Sequence, residues 1–543
     1  MNKWIFFILS LLIQTLLHSQ ETLKSSNLDI YDFLESMRCK GIVDFNSELK
    51  PTNKIFLAEL ILKVDSQKEK LDELEYDLLK KYKIYFEPEL KKLADSDNEA
   101  YSNFIRTNNR LRLFEYFDKD FSFYADPVFE IGVGSYYDKS LLIRRNGFSI
   151  SGYVLDNWNY YLNFFDNEER GENLDKSKRF TRLSGISLTK EKQRAFEYDE
   201  VTADIIYFWS NGSVSISKDY LSFGSGNFGK IILSDKAPPF PFIRLDYKPV
   251  DWLSFFYFHG FLQSNIADSN TFRYNSVPGR TSLLEVPKFI AFHSLSFFPT
   301  EELSFSLGES IIYSERLQSI YFIPVMFFRV ADHYLGTDNA SATGNAQMFA
   351  DFSYLNRNLK TRFYSTLFID ELSFNSLFEG GNLSAIGFTI GLESYNILSQ
   401  TRFFIEYSRV NPFVYMNSVD AQLYSNDGYK MGHWIESNSD ILSFGLKKYF
   451  TSSLNAELNA WYFRKGKTEE PIEQYSSPYP AFLYGSKRIE KGIELNLKYT
   501  PLMPIILRMN YTYTDISDEE SGRTTNFKLG KKHSFMIKLS YNL

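Results

Sequence analysis

The sequence predicts a transmembrane antiparallel β-barrel of about 18 strands with a small N-terminal α-helical bundle. Three observations carry that expectation. Beyond about residue 110 the apolar residues recur with a period of two, as in a strand whose two faces meet different surroundings. Links between these segments alternate between short and long, as in a meander with tight turns at one end and long loops at the other. Aromatic residues make up 17% of the chain while mean hydropathy is only −0.28, so apolar side chains are interleaved with polar ones.

At the N-terminus, Lys3 precedes an apolar run from Trp4 to Leu17 that closes in Leu17-His18-Ser19-Gln20, the pattern of a secretory signal peptide over residues 1–19. The run is too short for a membrane anchor, and no later stretch approaches the ~18 apolar residues a spanning helix needs. Residues 20–110 are expected to form a periplasmic helical region. Ile30, Phe33, Leu34 and Met37 follow helical spacing and stop at Gly41; Pro51-Thr52 opens a second helix carrying Ile55, Ala58 and Leu62. Leu71, Leu74, Leu78 and Tyr82 mark a third. The single cysteine, Cys39, has no disulfide partner and reads as a small core residue.

Residues 111–543 are expected to form the barrel. Its strands run 121–133, 146–154, 157–166, 201–208, 213–223, 241–248, 251–262, 288–297, 301–313, 348–356, 359–369, 384–395, 400–410, 439–450, 452–463, 490–500, 503–514 and 533–543. Short links such as Leu155-Asp156 and Asn211-Gly212 alternate with long ones such as 263–287, 411–438 and 464–489. In hydrocarbon a free edge leaves N–H and C=O groups unpaired, so the last strand should pair with the first, turning Phe535, Ile537, Leu539 and Tyr541 toward lipid. With an even strand number both termini lie at the short-turn, periplasmic end. Trp158 and Trp252, beside short turns, suit an interfacial aromatic belt. The alternative, a soluble β-sandwich, does not sort its loops by length in this way.

Motifs for chemistry are few. Gly224-Ser225-Gly226-Asn227-Phe228-Gly229 spells GxGxxG, but Pro238-Pro239 stop the helix that a dinucleotide site needs, so a loop folded against or into the barrel is expected. His293 and Glu309, on neighbouring strands, are expected to face the lumen within an interior hydrogen-bond network, as are Asp338-Asn339 and Asp370-Glu371. HExxH, CxxC and GxSxG are absent from the sequence, so no catalytic, metal or cofactor site is assigned. A net charge of −7 argues against a nucleic-acid partner. The candidate site is instead a set of loop aromatics: Tyr475, Tyr479, Phe482 and Tyr484 in QYSSPYPAFLYG, with Tyr424, Tyr429 and Trp434 in another long loop. Such rings either stack on the C–H faces of sugars or pack the loops and the outer girdle.

Several stretches taken together resemble the capsule-assembly Wzi family of outer-membrane proteins over nearly the whole mature length. They are YDFLESMRCKGIVDF from Tyr31, RRNGFSISGYVLDNWNYYLNFFDN, and SKDYLSFGSGNFGKIILSDKAPPFPFIRL, followed in order by FHSLSFF, LGESIIY, YFIPVMFF, FIDEL and IEYSRVNPFVY. The resemblance implies an 18-stranded barrel with its helical bundle near the periplasmic mouth, no cofactor, and a lectin-like activity that holds capsular or exopolysaccharide at the bacterial surface. Outer-membrane lipid and, during insertion, the barrel-assembly machinery would be its other partners. A diffusion or export channel is the alternative function, because barrels of ~16–18 strands can leave a water-filled path. An enzyme would need convergent Ser, His and acidic groups that the sequence does not display.

Overall fold

The computed structural model describes residues 22–23, 28–46, 48–94, 100–106, 110–188, 190–274, 281–335, 344–371, 385–476 and 479–542. The expected signal peptide and Asp338-Asn339 lie outside them, as do the side chains of Glu371 and Tyr475.

Period-two patterning becomes eighteen strands: β1 (Phe121–Tyr136), β2 (Lys139–Val154), β3 (Trp158–Gly171), β4 (Ala195–Trp209), β5 (Gly212–Asp219), β6 (Phe240–Val250), β7 (Leu253–Leu262), β8 (Lys288–Phe297), β9 (Leu303–Ser314), β10 (Gly344–Asn356), β11 (Thr361–Glu371), β12 (Ala385–Tyr395), β13 (Thr401–Val410), β14 (Ser439–Tyr449), β15 (Leu454–Lys465), β16 (Arg488–Leu502), β17 (Ile505–Asp518) and β18 (Gly530–Tyr541). Each pairs antiparallel with the next, and β18 closes the cylinder on β1, Ile537 opposite Val133 and Leu539 opposite Ile131. Outward positions are apolar across the middle of the wall. On β3 they read Trp158, Tyr160, Leu162 and Phe164, then turn polar at Asp166, Glu168 and Arg170. On β18, Phe535 and Leu539 remain 43% and 44% exposed, as lipid-facing residues do.

One link departs from expectation. A long connection was expected between the first two strands, but β1 and β2 run on for sixteen residues each and turn at Tyr137-Asp138, with φ of 47° and 67°. Above the apolar belt their outward positions turn partly polar, at Ser135 of β1 and at Ser140 and Arg144 of β2, Arg144 lying 3.2 Å from Glu168. The hydrophobic period fades there although the ladder continues.

Among the described residues, four helices precede the barrel: α1 (Leu28–Cys39), α2 (Lys54–Asp65), α3 (Glu73–Tyr85) and α4 (Glu87–Leu93). Gly41, at φ 69°, ends α1 in a Schellman arrangement, Ile42 N–H donating to the Met37 carbonyl and Gly41 N–H to that of Arg38. Asp72 and Glu75 form a capping box on α3. Cys39 is buried, and that burial pushes its thiol up to about 12. Leu62, expected on the buried face of α2, is exposed instead; Ile55, Ala58, Ile61 and Val64 make that face. The hairpin Tyr101–Arg106 and Arg112–Phe117 then leads into β1, straddling the expected boundary at residue 110.

The bundle docks on the short-turn end of the barrel. Lys81 donates to the Ser452 carbonyl at 3.0 Å and Asn396 to Ser36 at 2.7 Å. Asp29, Asp32 and Glu35 recur every third residue and so share one face of α1. That face meets cations of the lumen wall: Lys447 lies 2.5 Å from Asp29 and 2.7 Å from Asp32, Lys498 2.6 Å from Asp29, Arg402 3.3 Å from Asp32 and Arg362 3.8 Å from Glu35.

The outer wall holds a further correction. His293 and Glu309 alternate with the lumen-facing Phe292, Ser294 and Ser310, so they point outward rather than into the lumen. The chain after β9 folds down over them and forms α5 (Phe328–Leu335). Glu309 sits 3.3 Å from His293 and accepts the N–H groups of Phe328 at 2.6 Å and Arg329 at 3.5 Å, capping α5. His259 pairs with the Tyr313 hydroxyl at 2.7 Å and stacks on Phe322 at 4.1 Å. This strap covers polar wall residues that would otherwise face hydrocarbon, and it presents Val325, Phe327 and Val330 outward in their place.

Three outcomes are expected. Lys447→Met leaves two carboxylates short of a cation and weakens docking of the bundle by ~3–5 kcal/mol, read as faster hydrogen exchange across α1. Burial raises the Asp29 pKa, but Lys447 and Lys498 more than offset it and hold the carboxyl well below its usual range. A depressed folded pKa stabilises fully above the unfolded value of ~3.9 and is lost as pH falls through the folded one, so the protection of α1 amides, their exchange relative to the intrinsic rate at each pH, should stay flat from pH 8 to about 4 and fall only below that. Glu309→Ala removes the cap on α5 at ~1.5–3 kcal/mol and should expose the bond after Arg329 to trypsin, with the barrel itself still folded.

Candidate functional site

The lumen is filled from both ends. The glycine-rich loop after β5 folds inward as expected, and wall carboxylates hold its backbone. Asp351 accepts from Ser225 N–H at 2.6 Å, while Glu406 accepts from Asn227 N–H at 2.6 Å and Phe228 N–H at 3.0 Å. Gly224 and Gly226, at φ 98° and 143°, allow the turn. From the short-turn side, Leu49–Lys50 reaches up to pair with Ser222–Phe223. There Glu48 accepts from Ser304 and Ser306 of β9, both at 2.9 Å.

A second inward loop, 411–438, locks onto the first. Tyr415 donates to the Ile231 carbonyl at 2.6 Å, Tyr424 to that of Ile232 at 2.8 Å, and Trp434 to that of Phe228 at 2.6 Å. Their rings join a core with Ile231, Ile232, Leu233 and wall phenylalanines of β6–β8, β10, β11, β13 and β15. Burial lowers the His433 pKa to about 3, so the ring stays neutral; its Nδ1 accepts from Ile435 N–H at 3.3 Å. Although burial raises the Glu436 pKa, Arg179 overcomes it, gripping the carboxylate at 3.0 and 2.8 Å and holding it at about 2. Asp370 also belongs to this network, accepting from Tyr415 N–H at 2.5 Å.

The seven expected loop aromatics therefore divide. Tyr424 and Trp434 are buried in the plug, which corrects their expected place on an outer surface; their loop is apolar enough to fill the lumen and does so. Tyr429 is half-buried, its hydroxyl donating to the Ile186 carbonyl at 3.4 Å. Tyr479, Phe482 and Tyr484 are all half-exposed at the long-loop end. Phe413 lies 5.5 Å from Tyr479 and 6.5 Å from Tyr484, and the Arg409 guanidinium stands 3.7 Å over Phe482. Glu473 accepts from Tyr484 at 3.0 Å and from Lys467 at 2.6 Å, the lysine contact being the main reason its pKa is lowered. Phe413 and Arg409 were not singled out from the sequence, although Pro412 stops β13 and so places Phe413 at the root of a loop.

A closed cylinder with an apolar outer belt and a lumen packed by its own loops defines a plugged outer-membrane β-barrel. Residues 179–502, more than half of the chain, match the family model described as capsule assembly protein Wzi, and the chain belongs to that family. Its structure is similar to that of Wzi from Escherichia coli, described as a carbohydrate-binding outer-membrane β-barrel involved in group 1 capsule assembly. The TM-score is 0.56 at 12% identity, covering 97% of this chain and 99% of that one. OprD from Pseudomonas aeruginosa, at a TM-score of 0.41 and 12% identity, covers 78% of this chain and 94% of its own; OccAB4 from Acinetobacter baumannii, at 0.43 and 10%, covers 78% and 98%. No curated protein matches the sequence.

A Cβ at Gly432 would overlap the Tyr415 ring. Gly432→Ala should therefore loosen the plug by ~1–3 kcal/mol, seen as a lower temperature for loss of the compact band in unheated gel electrophoresis.

Proposed function

We propose that this protein is a lectin-like barrel that binds capsular or exopolysaccharide through its long-loop end and retains it on the cell surface, with the helical bundle on the periplasmic side. The observation that carries this reading is the half-exposed pair Tyr479 and Tyr484 around Phe413, with Phe482 of the same loop under the Arg409 guanidinium, seated on a lumen filled behind it. Ring faces suit the C–H surfaces of sugars, and Arg409 and Glu473 supply polar groups at the rim for hydroxyls. One such patch binds weakly. Repeated engagement along a polymer, by many copies of the protein, raises retention through effective concentration.

The channel reading requires a lumen open across its width, and the packed core between β6 and β15 closes that side of it. Catalysis is not part of the proposal.

Deleting the gene should move polysaccharide from the cell-bound to the medium fraction. Restoring it with Phe482→Ala or Tyr484→Ala should recover retention only partly, each lost ring weakening polymer binding roughly two- to tenfold for ~0.5–1.5 kcal/mol. Unchanged cell-bound polysaccharide in the deletion strain would sink the proposal, and so would a large steady conductance of the purified barrel in a planar bilayer.

A further inference from the structure

The lumen is not filled evenly. Wall side chains in its apolar core come from β6–β15, and the plug is pressed against that side. Along β1–β4 and β16–β18 the plug stands away from the wall and leaves a cavity of about 780 Å³. Its lining runs from Tyr85 and Arg110 at the short-turn end to Tyr137 and Leu183 at the long-loop end, so it is a groove along the height of the barrel. Leu183, 55% exposed, lies at the outer end.

The groove's chemistry is that of a carbohydrate site. Its charges are matched across the wall: Glu130 faces Lys538 at 3.4 Å and Arg508 at 3.8 Å, Glu169 faces Lys178 at 2.7 Å, and Arg145 faces Glu200 at 3.6 Å. Such pairing leaves little net field to select an anion or a cation. Between the pairs lie the rings of Tyr161, Tyr198, Tyr220 and Trp461, the amides of Asn496 and Asn510, and small hydroxyls such as Ser149 and Ser151. Toward the lower end the Tyr124 hydroxyl, on a side chain only 4% exposed, borders the groove with no hydrogen-bond partner. The volume falls within the ~300–1,000 Å³ of small-ligand sites.

From this geometry we infer that the groove binds the terminal segment of a glycan, several sugar rings long and uncharged or nearly so, inserted from the long-loop end. A closed cylinder cannot be threaded by the middle of a polymer; only a free end can enter it. The outer aromatic cluster would then hold internal stretches of the same chain, and the groove would hold its end. The inference rests on the polysaccharide-binding reading, and its test separates the two.

The probe is a set of short oligosaccharides from partial hydrolysis of the producing strain's own surface polysaccharide, end-labelled with a fluorophore, bound to the purified full-length barrel in detergent. Ser149→Trp and Ser151→Trp fill the groove from β2 and should weaken short-oligosaccharide binding roughly tenfold or more, while intact polymer, held by the loops, loses far less. A diazirine-bearing version of the same oligosaccharides, photolysed on the unaltered protein, should label tryptic peptides of β1–β3 and β16–β18. The inference is overturned if folded tryptophan variants bind the oligosaccharides as the wild type does, or if the photolabel falls only on the long loops; the outer-surface reading survives both results. Failure of the unaltered protein to bind either oligosaccharide or polymer would overturn both.

Discussion

Everything in this molecule depends on the pairing of β18 with β1. A sheet in hydrocarbon has no water to satisfy its edges, and each orphaned N–H or C=O there costs several kcal/mol. Closing the sheet removes the edges. It also creates a second problem, because a cylinder of eighteen strands is too wide for wall side chains alone to fill.

The chain answers with its own segments. Glycines at 224 and 226 let one loop fold into the lumen, where its amides are taken by Asp351 and Glu406, and the 411–438 loop packs its aromatic rings on top. The stretch around Glu48 enters from the opposite mouth and meets the first loop in a two-residue ladder. Acidic residues on one face of α1 then secure the bundle to lysines and arginines of the wall. The result is a stiff plug on one side of the lumen and a charge-balanced, tyrosine-rich groove on the other. The strap outside obeys the same rule: polar groups at His259, His293 and Glu309 are allowed on the outer wall because the chain supplies their partners.

Stiffness of this kind would suit the proposed retention of polysaccharide. Aromatic rings that must stack on a flexible polymer lose less entropy on binding when their positions are already set. Phe413, Tyr479 and Tyr484 are held by a loop tied through Asn438, whose side chain accepts from Leu483 N–H at 2.8 Å.

Strand number, strand order and the lipid-facing set at Phe535, Ile537 and Leu539 were all legible in the sequence, because a period of two is a local property and most short turns mark themselves with Pro, Gly or Asn. The helix stop at Gly41 was legible for the same reason. Which way a loop or a polar wall residue faces was not. Tyr424 and Trp434 went inward, and His293 and Glu309 outward, because those placements depend on what volume the closed cylinder leaves empty and on which distant segment arrives to cover them. Alternation along a strand specifies two faces. Only the closed structure, by setting curvature and filling its interior, decides what each face meets.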